Sequence, residues 1–257
     1  MQLIEKFKKH RFLFEELVKR DFKSKYKGTV LGMLWSVLSP LLTLLVMKIV
    51  FTQFFGRTVE HYAIYLFSGN LMYSYFREST VGGMSALKRN APIFTKINVP
   101  KYMFVLSKSI SSFVNFMLTL VVFFLFVAID GIPFAWRFLL LLYPILTISL
   151  FNIGVSLILS AMQVFFHDTE YLYDIFTLIL MYFSAIFYTI DGYSPTVQKL
   201  FYLNPLFCHI TYFRSIVIGG VVPGPILHLL MATYALVALF VGGLIYYKNN
   251  HRFLYYV

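Results

Sequence analysis

The amino-acid sequence predicts an all-α integral membrane protein with six transmembrane helices. Hydrophobic residues fill 59% of the 257 positions and charged residues only 13%, about half the charged share of an ordinary soluble domain. Apolar segments recur along the chain, each close to the roughly 20 residues that cross the hydrocarbon core of a bilayer. Lys and Arg are concentrated between these segments, as membrane topology requires. The chain is predicted to form a single transmembrane domain, residues 1–257.

The predicted spans carry few charges. They cover about 30–55, 62–87, 105–129, 138–166, 171–190 and 225–247. Lys48 lies near the end of the first span, close enough to reach the interface with its long side chain. Arg77 and Glu78 lie in the second span, where charges are costly in lipid, so each is expected to face a cavity, a partner or the interface. Arg77 could contact phosphate or sugar in a pore, or donate a structural hydrogen bond to the next helix.

The distribution of basic residues gives the predicted orientation. Lys and Arg total nine in residues 1–28 and five in residues 88–108, and the C-terminal tail adds Lys248 and Arg252. The positive-inside rule therefore places both termini in the cytoplasm. The net charge of +11 follows from this topology and is not taken to indicate nucleic acid. No cleaved signal peptide is expected at the N-terminus.

Residues 5–27 are predicted to form an amphipathic helix in the membrane interface. Phe14, Leu17, Val18, Phe22 and Tyr26 recur at helical spacing, which is typical of such a helix. Its apolar arc is interrupted by Asp21 and Lys25. The helix could be a basic anchor that only sets orientation, or an element that moves and gates a pathway.

Two connections on the predicted cytoplasmic side have contrasting compositions. Leu87–Tyr102 is basic and contains two prolines, whereas Phe165–Asp174 is acidic and aromatic. Each could dock a motor subunit through a short helix, or could be an ordinary solvated loop.

The segment 191–224 is apolar but broken by Pro and Gly. Its uninterrupted stretches are too short to cross a bilayer. They are predicted to form short re-entrant or interfacial helices between spans five and six, of the kind that membranes tolerate when protein or water covers the backbone.

Aromatic residues make up 19% of the sequence and are most frequent in the second span and at the end of the fifth. Tyr and Trp favour the membrane interface in general. Aromatic rings also stack on sugar faces, with hydroxyls that form hydrogen bonds, so a glycan conduit would have this composition as well.

The sequence lacks the motifs of an enzyme that powers itself. It has no Gly-Lys-Ser/Thr P-loop, no His-Glu-x-x-His motif, and a single cysteine, Cys208. These absences predict no ATP, metal or cofactor site in this chain. Energy for transport would then come from a separate subunit.

The segment LVKRDFKSKYKGTVLGMLWSVLSP, residues 17–40, resembles the N-terminal signature of ABC transporter permeases that export cell-surface polysaccharides such as O-antigen, capsule and teichoic acid. The matching positions are Lys25-Tyr26, Leu31-Gly32, Trp35 and Pro40, followed by Ser68-Gly69, Pro100, Phe165-Phe166-His167-Asp168, Asn204-Pro205-Leu206 and Arg214. The family usually has Arg where this chain has His167, so a contact of that turn with a motor subunit would differ in charge.

The resemblance implies a homodimer with two ATP-binding subunits, which would hold ATP and Mg²⁺, in the bacterial cytoplasmic (inner) membrane. An undecaprenyl-linked glycan would enter from the cytoplasm beside the interfacial helix, and connections 88–101 and 165–173 would couple to the ATPase.

Four groups of candidate functional residues follow. Candidate conduit residues are Tyr65, Tyr73, Phe76, Arg77, Tyr182, Phe187 and Tyr188. Candidate residues of the interfacial gate helix are Phe14, Val18, Arg20, Phe22, Lys25, Tyr26 and Trp35. Candidate coupling residues are Lys88, Arg89, Phe94, Lys96, His167, Asp168 and Glu170. The outer gate would use Asn204, Pro205 and Arg214.

Two other functions fit an apolar helical protein. A membrane-embedded transferase acting on lipid-linked sugars would need clustered carboxylates or His at a cytoplasmic mouth, for which His167, Asp168, Glu170 and Asp174 are the available group. An ion-coupled transporter or channel is disfavoured because the sequence shows no inverted repeat.

Overall fold

The computed structural model describes residues 10–25, 27–55, 60–250 and 252–256, without the side chains of 52–55. Within these residues, the regular secondary structure consists of helices. The α-helices are α1 (Arg11–Ser24), α2 (Trp35–Phe55), α3 (Tyr62–Met84), α4 (Ala86–Phe94), α5 (Tyr102–Ile129), α6 (Leu142–Phe165), α7 (Thr169–Phe183), α8 (Pro195–Phe201), α9 (Pro205–Val217), α10 (Pro225–Asn249) and α11 (Phe253–Tyr256). Short 3₁₀ helices at Gly32–Leu34 and Trp136–Leu141 lead into α2 and α6.

The all-α architecture is confirmed. Four helical segments of the described chain are long and apolar enough to cross a membrane: Gly32–Phe51, Tyr102–Ile129, Trp136–Phe165 and Pro225–Asn249. α3 has 23 residues, long enough to cross, but it contains Arg77 and Glu78 together with many hydroxyl and amide side chains.

Two helices end earlier than the sequence suggested. The second predicted span extended to 87, but α3 ends at Met84 and α4 starts at Ala86. The fifth extended to 190, but α7 has 15 residues and ends at Phe183. Just beyond it, Ala185 adopts a positive φ of 48°, in the left-handed region that a non-glycine residue rarely occupies. Side chains from α9 and its N-cap bind the carbonyls around this break, which holds it in place.

α3 is the central helix of the bundle and packs against α2, α5, α6, α7 and α9. Its Phe67 ring packs edge-on against Phe123 of α5, with centroids 5.3 Å apart, and Phe123 packs the same way against Phe213 of α9. Between α6 and α10 the contact is backbone-close: a Cβ on Gly154 would overlap the backbone of Ala238. Small residues at such positions let apolar helices approach closely, which favours their packing in lipid, where the hydrophobic effect does not drive helices together.

A second hydrophobic cluster lies at one end of the bundle and joins both ends of the described chain. It contains Phe14 of α1, Phe94 of α4, Phe104 of α5 and Phe253 of α11. Phe165, at the end of α6, packs within 5.7 Å of the Phe253 ring. We call this the α1 end. The two connections of contrasting composition, 88–101 and 165–173, also lie here.

Candidate functional site

The helix predicted to lie in the membrane interface packs against the bundle. Of the predicted helix 5–27, the structure describes α1, Arg11–Ser24, while residues 1–9 and Tyr26 lie outside the described residues. Phe14 and Leu17 are buried in the cluster of the α1 end. Val18 and Phe22 are half-buried. The apolar arc therefore packs against α4 and α5.

The two charges that interrupt this arc make specific contacts. Ser107 Oγ donates to Asp21 Oδ2 at 3.3 Å, and Lys25 Nζ lies 2.8 Å from Glu78 Oε2 on α3. Their neighbour Arg20 donates from Nη2 to Asn90 Oδ1 at 2.8 Å. The two residues that interrupt the apolar arc thus bind α1 to α5 and α3, and Arg20 binds it to α4.

Beside α1 lies a basic cavity of about 710 Å³. Its charged lining consists of Arg20, Asp21, Lys25, Arg77, Glu78, Arg89 and Lys108. Basic side chains outnumber acidic ones in this described lining, so the cavity favours an anion. Gly82 makes room for Lys108, because a Cβ at that position would overlap the Lys108 side chain.

A second cavity of about 420 Å³, the neutral cavity, lies deeper between the first half of α2, the middle of α3 and α5. Its lining is Lys25, Thr29, Trp35, Ser36, Ser39, Pro40, Thr43, Asn70, Leu71, Ser74, Tyr75, Glu78, Asn115, Phe116 and Thr119. Most of the polar groups are hydroxyls and amides. Polar residues in apolar helices are costly unless they face a cavity or a partner, which accounts for their position.

Glu78 links the two cavities. Its Oε2 receives hydrogen bonds from Lys25 Nζ at 2.8 Å and from Asn115 Nδ2 at 2.9 Å. Lys25, Ser74 and Glu78 line both cavities. The charge in the second predicted span is therefore held at a boundary between a basic and a neutral space.

The predicted conduit residues have varied settings. Phe76 is 2% exposed and stacks on Phe151 at 6.0 Å, and Tyr73 is buried with its hydroxyl donating to the Thr177 carbonyl. These two rings contact protein between α3 and its neighbours, although the edge of Tyr73 reaches the basic cavity. Tyr182 is exposed, and Phe187 stacks on Phe51 at 4.7 Å.

Arg77 reaches α7. Its Nη2 lies 3.4 Å from Asp174 Oδ1, with the two side chains 52% and 58% exposed. A pair this exposed contributes little stability. Because Arg77 is exposed and lines the basic cavity, its guanidinium is accessible from that cavity.

The predicted outer-gate residues bind the break after α7. Arg214 of α9 is 9% exposed and donates to the carbonyls of Ala185, Ile186 and Tyr65 at 2.9–3.0 Å. Its guanidinium also lies over the Tyr65 ring, 3.4 Å from the centroid. The Tyr65 hydroxyl in turn donates to the carbonyl of Tyr188 at 2.6 Å.

Asn204 and Pro205 begin α9. Asn204 caps the helix by accepting from the Leu206 amide, and its Nδ2 donates to the Phe183 carbonyl at 3.0 Å. Pro205 occupies the first turn, where a missing N–H costs nothing.

The predicted coupling residues are mostly accessible. Lys88, Arg89, Lys96, His167, Asp168 and Glu170 are exposed, whereas Phe94 is buried in the cluster of the α1 end. Phe94 therefore anchors α4 against the bundle and leaves the basic side chains outside. In the same connection burial lowers the pKa of Lys101.

The sequence-based predictions did not include the neutral cavity, although the spacing of small polar residues indicates it. Small polar residues recur four apart: Ser39 and Thr43 on α2, Asn70 and Ser74 on α3, Asn115 and Thr119 on α5. This spacing puts each pair on one face of its helix. In the part of the chain that the structure describes, no group of three His, Cys, Asp or Glu side chains could hold a metal ion.

Comparison with known proteins gives consistent results. The model of the ABC-2 type transporter family matches residues 13–218. The O-antigen export system permease protein RfbA of Klebsiella pneumoniae is 27% identical over 249 residues, covering 94% of this chain and 95% of the relative. A protein of the same name from Myxococcus xanthus is 24% identical, covering 98% of each chain.

A further relative is the polysialic acid transport protein KpsM of Escherichia coli, 21% identical over 96% of this chain and 97% of the relative. The family match covers α1 to α9 and so includes both cavities and the Arg214 contacts. The chain belongs to the ABC-2 type transporter family.

Proposed function

We propose that this chain is the permease subunit of an ATP-driven exporter that moves a lipid-linked polysaccharide of the O-antigen or capsule type across the bacterial inner membrane. The names of the relatives support the substrate class. The observation that carries the proposal is the basic cavity beside α1, which lies at the end of the bundle where the basic connection 88–101 is found.

The basic cavity suits the diphosphate of a lipid-linked sugar. Arg20, Arg77 and Arg89 offer guanidinium groups, which bind phosphate oxygens through paired N–H donors. Lys25 and Lys108 add ammonium groups. A polyprenyl diphosphate carries its charge next to an apolar chain, so its headgroup would approach from the membrane interface, where α1 would lie.

The remaining partners follow from the same proposal. Two copies of the chain would join two ATP-binding subunits, which would contact the exposed side chains of α4 and of the turn before α7. α7 presents an apolar face of exposed side chains including Tyr171, Leu172, Ile175, Phe176 and Ile179. In a homodimer this face and Tyr182 would lie toward the second copy and the conduit.

The topology would comprise six crossings with both termini in the cytoplasm. Both described ends pack together at the α1 end, as an even number of crossings requires. α7 and the break at Ala185 would form the fifth crossing with the segment that follows, and α8 and α9 would close the outer side. Teichoic acid remains an alternative cargo of the same chemical class.

The proposal is tested by deleting the gene in its host and measuring where the glycan accumulates. Loss of surface polysaccharide with lipid-linked polymer retained inside the cell, reversed by the wild-type gene, is expected of a permease. Membranes of the deletion strain should still synthesise the lipid-linked polymer. Loss of that synthesis would instead indicate a transferase, and unchanged surface polysaccharide would refute the proposed export.

A further inference from the structure

We propose that the neutral cavity binds the uncharged sugar attached to the diphosphate, while the diphosphate occupies the basic cavity. This inference rests on the proposed function and extends it to a second, separate subsite. The two cavities adjoin at Lys25, Ser74 and Glu78, so a headgroup in one would place its first sugar at the mouth of the other.

The lining of the neutral cavity matches the chemistry of a sugar. Three hydroxyls donate to backbone carbonyls of their own helices: Ser36 to Met33 at 2.7 Å, Thr43 to Ser39 at 2.9 Å and Thr119 to Asn115 at 3.1 Å. A hydroxyl that donates its proton in this way keeps its oxygen as an acceptor, and sugar hydroxyls are donors. The side-chain amide of Asn70 adds N–H donors and an oxygen acceptor.

Two further features favour a sugar over the other parts of the lipid. The carboxylate of Glu78 at the boundary repels phosphate, which confines the diphosphate to the basic side. A polyprenyl chain has no N–H or O–H to donate to the hydroxyl oxygens of the wall, which keep acceptor capacity after donating to their own helices, and it would displace water from them at a cost. Trp35 lines the same cavity with a partly exposed side chain and offers aromatic surface for the apolar face of a sugar ring.

The contact between Lys25 and Glu78 would couple the two subsites. Both side chains are partly exposed, at 38% and 25%, so the ion pair can exchange partners at small cost. A diphosphate in the basic cavity would draw Lys25 away from Glu78. Glu78, still bound by Asn115, would then be able to accept hydrogen bonds from the sugar.

The experiment compares two probes on the purified full-length chain in lipid nanodiscs: a polyprenyl diphosphate, and the same lipid carrying one N-acetylhexosamine. For the wild type the sugar should raise affinity roughly tenfold, the value of one or two added hydrogen bonds. Thr43→Leu combined with Thr119→Leu should abolish this gain while leaving the affinity for the sugar-free lipid unchanged. Thr119→Val alone, which removes only a hydroxyl, should reduce the gain partly.

Thr233→Leu is the matched control, because Thr233 is exposed on α10 and donates to its own helix in the same way. It should leave the affinities for both probes unchanged. A sugar that fails to raise the wild-type affinity, or a gain that survives the double substitution, would overturn the inference. Arg89→Gln with Lys108→Gln tests the basic cavity separately: unchanged affinity for the sugar-free lipid in this variant would count against the proposed diphosphate site.

Discussion

Lys25 and Arg214 are both basic side chains that bind α3, but toward opposite ends of it and in different settings. Lys25 is 38% exposed and pairs with the carboxylate of Glu78 at the boundary of two cavities. Arg214 is 9% exposed and binds three backbone carbonyls and a tyrosine ring. The Lys25 ammonium lies at a cavity where it can change its partner, whereas the Arg214 guanidinium is buried among the groups that it binds.

The difference indicates which end of the bundle is built to respond to a ligand. An exposed ion pair beside water contributes about 1 kcal/mol or less, so breaking it costs little. Removal of a buried cation costs about 1–3 kcal/mol for each buried carbonyl that is left without a hydrogen-bond donor. The α1 end is therefore adaptable, and the break after α7 is fixed by Arg214.

Removal of the Arg214 side chain should have the largest effect on stability. Arg214→Leu would leave the Ile186 carbonyl without its side-chain donor, and the Tyr65 and Ala185 carbonyls with only the hydroxyls of Ser68 and Tyr65 as side-chain donors. We expect this to destabilise the fold by about 2–4 kcal/mol. Thermal unfolding of the purified protein in detergent measures the loss. Lys199→Leu, at an exposed basic position on α8, is the control and should leave the unfolding midpoint near that of the wild type. Equal midpoints for the two variants would refute the role of Arg214.

The glycine beside this guanidinium should be nearly as sensitive. A Cβ on Gly69 would lie 2.7 Å from Arg214 Nη2 and 3.2 Å from an Ile186 side-chain carbon, so Gly69→Ala should cost about 1–3 kcal/mol through overpacking. Gly243→Ala is the matched control, since nothing lies within 4 Å of its added Cβ. That substitution should be neutral or slightly stabilising, because Ala favours helix. Comparable losses for both would show that the space around Gly69 relaxes.

The Lys25–Glu78 pair should matter for export more than for stability. Lys25→Gln and Glu78→Gln should each change the free energy of unfolding by less than about 1 kcal/mol, while surface polysaccharide falls about tenfold or more because a phosphate ligand or the link to the neutral cavity is lost. The exchanged variant Lys25→Glu with Glu78→Lys restores an ion pair without restoring the original arrangement, and should export poorly. Normal export by all three variants would remove this pair from the transport mechanism.

The smallest change in stability is expected at Arg77. Its pair with Asp174 is long, at 3.4 Å, and exposed, so Arg77→Gln should alter the free energy of unfolding by at most about 0.5 kcal/mol. Asp174→Asn removes the same pair from the other side and should match it. If Arg77 binds the diphosphate, only Arg77→Gln should lower export. Equal export by both variants would assign Arg77 to the surface pair alone.

The sequence predicted the helices better than it predicted the site. Composition and charge distribution were enough for the all-α architecture, and the helical spacing of apolar residues was enough for the amphipathic helix α1. Asp21 and Lys25 looked like flaws in that helix because their partners, Ser107 and Glu78, are far away in the chain. The spacing of Ser39, Thr43, Asn115 and Thr119 held the signal of the neutral cavity, but only the fold brings α2 and α5 to the same space.

The setting of Arg214 could not be found in the same way. Its partners are mainly backbone carbonyls, which every residue has, so no pattern of side chains identifies them. The end of α7 at Phe183 depends on those contacts and on Asn204. Hydropathy extended the predicted helix to 190 because the residues after Phe183 are as apolar as those before it.

The most direct test of the account is to determine which end of the molecule holds the lipid diphosphate. A photoreactive polyprenyl diphosphate would be crosslinked to the full exporter in native membranes, and the labelled peptides identified by mass spectrometry. We expect labelling of the end of α1, of α3 near Gly82 and of α5 near Lys108, and we expect unlabelled polyprenyl diphosphate to reduce it. Labelling confined to the region around Arg214, or labelling of the α1 end that the unlabelled lipid does not reduce, would contradict this expectation.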